Sequence, residues 1–229
     1  MLDGVACSDY KKAMEHTILV ATTNPGKVRE LRAMLGDAVQ WASLADFPNV
    51  SEVVEDGATF AENARKKATE YAQATGLWTL ADDSGLVVDA LDGAPGVKSA
   101  RFSGEVPPGT DRKVTDRRNI AKLLELLKDV PAEKRTARFV CHLCLATPHV
   151  AQPPSGAPQV LIETSGKVEG RIIDEPAGTN GFGYDPVFFV PELGKTVAQL
   201  PDEQKNAISH RGNAIANFKP LLAELLAHS

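Results

Sequence analysis

The feature that most restricts this chain is an alternation, sustained from Thr17 onward, between short apolar or β-branched runs and longer stretches with apolar residues at helical spacing. Thr17 to Ala21 (TILVA) is such a run. After Thr-Thr-Asn-Pro-Gly-Lys, Val28, Leu31 and Leu35 recur every three or four residues, which predicts strand, polar turn and helix in succession. Pro25 suits a first helical turn, and Thr22, Thr23 or Asn24 can cap it. Val50 to Val54 reads as a strand. Thr59-Phe60-Ala61-Glu62 has the form of a capping box and opens a helix to about Thr75 before Gly76, with Ala64, Ala68, Tyr71 and Ala72 as its buried stripe. Leu77 to Ala81 and Gly85 to Val88 are apolar stretches interrupted by Asp82-Asp83-Ser84, so the acids are expected at a strand break. Asp111 to Leu127 is amphipathic through Ile120, Leu123, Leu124 and Leu127, and leads into a strand around Phe139. Further strands are expected at Val160 to Thr164 and Val187 to Val190. A closing helix from about Arg211 to Ala227 is broken or kinked by Pro220 unless it begins only after that residue. Alternation of this kind with short connections predicts an α/β fold on a mixed, twisted sheet with flanking helices, the functional residues gathering where strand ends and loops converge.

Composition narrows the functional classes. The 229 residues, 43% hydrophobic and 24% charged, suit one globular domain or two tightly fused lobes. Met1 to His16 reads as an N-terminal extension to a single domain over residues 17–229, and it lacks the apolar centre of a signal peptide. No segment approaches the roughly 18 continuous apolar residues of a membrane span, so cytoplasmic residence without a membrane partner is expected. A formal charge of −5 argues against nucleic acid as a partner, which would require a basic face. Cys7, Cys141 and Cys144 make no disulfide framework. Cys141-His-Leu-Cys144 has metal-like spacing, but it lies in an alternating run (Ala137, Phe139, Cys141, Leu143, Leu145) that reads as a strand. Residues three apart on a strand point to opposite faces and do not share an ion. Pro148 to Pro158 is a Pro-rich insertion.

Four constellations carry chemistry. Thr22-Thr23-Asn24-Pro25-Gly26-Lys27 places hydroxyls, an amide, backbone donors and a lysine at a helix N-terminus, where unpaired N–H groups and the helix dipole favour an anion. It is not a Walker loop, since the leading glycine is absent and Val28 stands where Ser or Thr would hold Mg²⁺; the segment reads as a phosphate cradle or as an ordinary strand–helix turn. Asp82 and Asp83, with Glu55 and Asp56, offer four acids near strand ends. Such crowding calls for a cation or a retained proton, and Mg²⁺, which takes hard oxygen ligands and shares them with phosphates, is the natural compensator. The alternative is a solvated turn. Lys66 and Lys67 fall near the buried stripe of their helix, and Lys205, His210 and Arg211 add cations further on. Phe182-Gly183-Tyr184-Asp185 joins rings to glycines that allow close backbone approach, which suits stacking on a base.

Read in order, ATTNPGKVREL, EDGATFAENARKKA, ADDSGLVVDAL, GAPGVKSARFSG, GTNGFGYDPVFFVP and AISHRGNA closely resemble the inosine/xanthosine triphosphate pyrophosphatases of the bacterial RdgB-like dITP/XTP type, over residues 17 to about 227. The resemblance implies an elongated mixed sheet, two lobes around a central cleft, a homodimer and Mg²⁺. It implies that Thr22, Thr23, Asn24, Pro25, Gly26 and Lys27 hold the triphosphate together with Lys67. Asp83 matches the catalytic acid, and Glu55 with Asp83 the metal ligands. Many relatives carry two neighbouring acids at the first of these points, where this chain has Val54 before Glu55. Ser84, Phe182, Gly183, Tyr184, Asp185, Lys205, His210 and Arg211 are implied to surround the purine.

The implied reaction is Mg²⁺-assisted attack of water on the α-phosphorus of ITP, dITP or XTP, with Asp83 as base and pyrophosphate leaving. Hypoxanthine and xanthine present a 6-oxo acceptor where adenine presents a 6-amino donor, so Arg211 and His210 would favour the former. Two rival readings are a Maf-like pyrophosphatase for pyrimidine or methylated nucleotides, which has no claim on the SHRG and FGYD segments, and a nucleotide-binding regulator without turnover, against which Asp83, Glu55 and Lys67 weigh.

Overall fold

The computed structural model describes residues 17–36, 39–107, 109–148 and 158–228. The extension Met1 to His16, with Cys7, and residues 149–157 of the Pro-rich insertion lie outside them. Among the described residues, seven strands form one mixed sheet in the order β2-β1-β3-β4-β5-β6-β7: β1 (Thr17–Val20), β2 (Gln40–Ser43), β3 (Trp78–Val88), β4 (Thr136–Thr147), β5 (Gln159–Ile172), β6 (Phe188–Val190) and β7 (Lys195–Thr196). β1 pairs in parallel with β2 and β3, whereas β6 pairs antiparallel with β5 and β7. The helices are α1 (Pro25–Leu35), α2 (Phe60–Thr75), α3 (Arg112–Leu127), α4 (Asp202–Ile208) and α5 (His210–Ala227). No described helix is long and apolar enough to cross a membrane.

Capping chemistry accounts for several boundaries. Of the three candidate caps, Asn24 holds α1, its side chain accepting from Gly26 N at 3.0 Å, with Pro25 in the first turn. Thr59 caps α2, and Gly76 ends it in the left-handed conformation. The reciprocal half of the capping box is displaced by one residue, because Glu62 accepts from Ala58 N instead of Thr59 N. Asp111 caps α3 through Lys113 N.

Two expectations are corrected. Val50 to Val54 forms no strand; Val50 and Val53 pack against the apolar face below α2, and Val53 N donates to the Tyr71 hydroxyl at 3.1 Å. The acids at 82 and 83 do not break a strand, since β3 runs through them without interruption. The closing helix expected from about Arg211 to Ala227 is present as α5 from His210, and it continues through Pro220 without interruption. Helix α4 and strand β2 are elements that the apolar periodicity does not announce.

The chain divides into two compact units. The first takes the described residues of Met1–Asp83, His142–Thr164 and Ile215–Ser229. Its core joins Leu19, Ala64, Ala68, Tyr71, Ala81, Cys144 and Ala146, among which the alanines let α2 lie close to the sheet. The second takes Ser84–Cys141 and Ser165–Ala214. It packs Leu123 and Leu127 of α3 with Leu86, Val88, Phe139, Tyr184 and Phe188, and each fully buried leucine contributes on the order of 2 kcal/mol. Cys141 and Cys144 are both buried in β4, and burial pushes the Cys144 thiol up to about 12, far from any reactive thiolate.

Candidate active site

In the first unit, β1 ends at Val20, opposite Leu80 of β3, while β3 continues. Asp82 and Asp83 therefore project beyond the carboxyl end of β1, beside the turn that opens α1, the place where ligands of open α/β sheets bind. Asp82 meets Lys27 of α1, Nζ to Oδ2 2.9 Å, with the carboxylate fully buried. Strand alternation turns Asp83 to the opposite face, toward α2. There it accepts from the Asn63 side chain at 3.1 Å and lies 3.8 Å from Lys67 Nζ. Lys67 also donates to the Asp82 carbonyl and to Glu55 Oε1, each at 2.7 Å. Thr22 Oγ1 accepts from Asn24 N, and Thr23 is exposed.

These contacts set the electrostatics. Burial raises the Asp83 carboxyl above the ordinary carboxylate value, outweighing the opposite pull of Lys67 and Lys27; Glu55 adds to the rise and the Asn63 hydrogen bond subtracts from it. Burial also works against charge on Lys67, but Asp82, Asp83 and Glu55 more than offset it and hold the ammonium above its usual range. The donor chemistry here, carboxylates from Glu55 and Asp83 with hard oxygens, fits a cation such as Mg²⁺. Asp56 is turned away, its carboxylate 2.6 Å from the more exposed Lys66.

In the second unit the residues expected around the base form two groups. Arg211 is 1% exposed and donates through Nη2 to Ser84 Oγ at 3.0 Å; His210 beside it lies face to face with Phe139, ring centroids 5.0 Å apart. Both sit in the first turn of α5, which Ser209 caps through Gly212 N. β5 permits this placement because Gly166 has no side chain: a Cβ there would stand 2.3 Å from both His210 O and Ala214 N. In the second group Lys205 Nζ is 2.8 Å from Asp185 Oδ2 and 4.6 Å from the centre of the Phe182 ring. Asp185, Lys205 and His210 line a common recess with Phe139 and Val168.

Tyr184 is not among them. Its ring is buried in the apolar core and its hydroxyl donates to Ser99 O at 2.9 Å, so it packs and does not offer a stacking face; the partly exposed Phe182 does. The sequence reading also passes over Asn63. Its signal was available: Asn63 and Lys67 lie four residues apart and flank the alanine stripe, which places both on the buried face of α2 and separates Lys67 from Lys66.

Residues 18–221 match the sequence model of the Ham1 family. The chain belongs to the Ham1 family. It is 53% identical over 203 residues to a protein of Geobacter sulfurreducens named dITP/XTP pyrophosphatase, spanning 88% of this chain and 94% of that one. A Ham1 protein structure from Coxiella burnetii superposes with a TM-score of 0.76 at 40% identity, over 91% of this chain and 99% of the other. A structure from Mycobacterium abscessus, titled nucleoside-triphosphatase / dITP/XTP pyrophosphatase, gives 0.68 at 45% identity, over 89% and 99%. The Ham1 match spans both sets of site residues, from the α1 turn to the first turn of α5.

Proposed function

We propose that this Ham1 protein hydrolyses deaminated purine nucleoside triphosphates, dITP, ITP and XTP, to the monophosphate and pyrophosphate. The names of its relatives support the substrate class. The observation that carries the chemistry is Asp83, a buried carboxylate poised between the neutral donor Asn63 and the ammonium of Lys67, with Lys27 on the neighbouring Asp82, cations that suit a polyphosphate.

In this reading the α1 turn (Thr22, Thr23, Asn24, Pro25, Gly26 and Lys27) and Lys67 bind the triphosphate. Asp83 orients a water and takes its proton as the water oxygen bonds to the α-phosphorus. The bond from that phosphorus to the bridging oxygen breaks, and pyrophosphate leaves with the oxygen and its electron pair. Glu55 and Asp83 would hold Mg²⁺, which supplies further neutralisation of the phosphate charge. Phe182 stacks on the purine, while Arg211 and His210 donate to the 6-oxo group. Ser84, Gly183, Asp185 and Lys205 complete the base side. A homodimer and residence in the cytoplasm belong to the same proposal, supported by the family resemblance and by two buried thiols suited to a reducing compartment.

The test is a nucleotide panel with separate detection of pyrophosphate and orthophosphate. ITP should give IMP and pyrophosphate in one step. IDP and orthophosphate as first products would overturn attack at the α-phosphorus.

A further inference from the structure

We infer that Asp116, on α3 and outside the motifs that define the site, is a positioning residue for the purine: it holds the turn that presents the Phe182 ring. The inference rests on the base-stacking role proposed above.

The turn from Gly181 to Asp185 is irregular backbone, with Gly181 at φ +76° and Gly183 at φ +63°, conformations that side-chain-bearing residues rarely adopt. Within the turn Asp185 N donates to the Phe182 carbonyl at 3.3 Å, while the amides of Phe182 and Gly183 are tied by side chains. Two carboxylates do so on consecutive residues. Asp185 accepts from Phe182 N at 2.9 Å, and its position is set by Lys205 at 2.8 Å. Asp116 accepts from Gly183 N, also at 2.9 Å. The two successive peptides on either side of the Phe182 α-carbon are thus each held through their N–H by a charge-assisted hydrogen bond, the stronger kind. Arg112, one turn earlier on α3, lies with its guanidinium 5.7 Å from the Phe182 ring centre.

Helix α3 is itself anchored at this point. Asn119, one turn after Asp116, is buried, donates to the carbonyls of Ser99 and Ala100 and accepts from Ser103 N. The Ser99 carbonyl also receives the Tyr184 hydroxyl. α3 therefore meets the turn directly at the Gly183 amide, and shares with the Tyr184 hydroxyl the carbonyl of Ser99. This gives the buried Tyr184 a purpose for the site: it locates the backbone on which Phe182 stands.

Because stacking on the base contributes equally before and during the reaction, loosening the turn should raise KM and leave kcat alone. In Asp116→Ala, KM for ITP should rise about tenfold with kcat within about twofold of the parent, the value of one lost charge-assisted hydrogen bond. Inhibition by inorganic tripolyphosphate, which has no base to stack, should be unchanged. Asp116→Asn, which keeps an acceptor oxygen, should recover most of the loss. An unaltered KM, a parallel loss of tripolyphosphate affinity, or an Asn variant as impaired as Ala would each overturn the inference. Should Asp116→Ala not fold, amide exchange on the parent decides: Gly183 N–H should be protected, and exchange at the rate of open chain would overturn it. A parent that releases no pyrophosphate from ITP would instead refute the proposed function, a result separable from every outcome above.

Discussion

Asn63 donates its side-chain N–H to Asp83 Oδ2 at 3.1 Å while its own oxygen accepts from Gly57 N at 2.8 Å. One fully buried amide thus couples the loop before α2 to the carboxylate in β3, and it is the neutral counterpart to Lys67 on the next turn of the same helix.

Replacing Asn63 with Ala should therefore act on Asp83. Its hydrogen bond lowers the Asp83 value, so its loss should raise that value further and move the acidic limb of the kcat/KM profile to higher pH. Misplacement of the base should lower kcat about ten- to a hundredfold. A pH–rate profile with an unmoved limb would dissociate Asn63 from the base.

Asp83→Asn should abolish most turnover without loss of thermal stability at neutral pH. The folded-state value of Asp83 lies above the unfolded one, so the native state holds the proton more readily, and stability falls as pH rises through the window between them. Above that window the buried carboxylate is a burden that the amide removes. Melting curves of both proteins across pH 4 to 8, about the range spanned by carboxylate and neutral values, check this; a variant markedly less stable at pH 7 would contradict it.

Gly166→Ala should be a stability variant that also damages base recognition. The added Cβ meets backbone atoms of α5 at 2.3 Å on two sides, and backbone cannot swing aside as a side chain can. A destabilisation of about 3 kcal/mol is expected in denaturant titrations, at the upper end for overpacking. Wild-type stability would show that α5 can shift freely.

Arg211→Lys keeps the charge and loses the planar fork that reaches Ser84. If Arg211 reads the 6-oxo group, kcat/KM should fall for ITP much more than for ATP, narrowing their ratio about ten- to a hundredfold. An arginine serving only the triphosphate would slow both alike, and an unchanged ratio would remove it from base reading.

Much of this was legible along the chain. Asn24, Pro25, Thr59, Gly76 and Asp111 set helix boundaries through contacts within a few residues, so local spacing sufficed to find α1, α2 and α3. The apolar periods fixed the α/β class for the same reason, because burial patterns repeat with the geometry of each element. What only the tertiary structure decided were the partnerships between distant segments. β3 runs through Asp82 and Asp83 because Lys27 and Lys67, from two other elements, compensate carboxylates that would otherwise end a buried strand. Val50 to Val54 stays unpaired as a strand because Tyr71 of α2 takes the Val53 amide. Tyr184 and Phe182 look alike in sequence, but Ser99, far from both along the chain, draws the Tyr184 hydroxyl inward, while the Phe182 ring stays partly exposed. The selection of Asn63 and Asp116 has the same origin: a hydrogen bond across many residues depends on where the fold brings donor and acceptor together, and no local period encodes that distance.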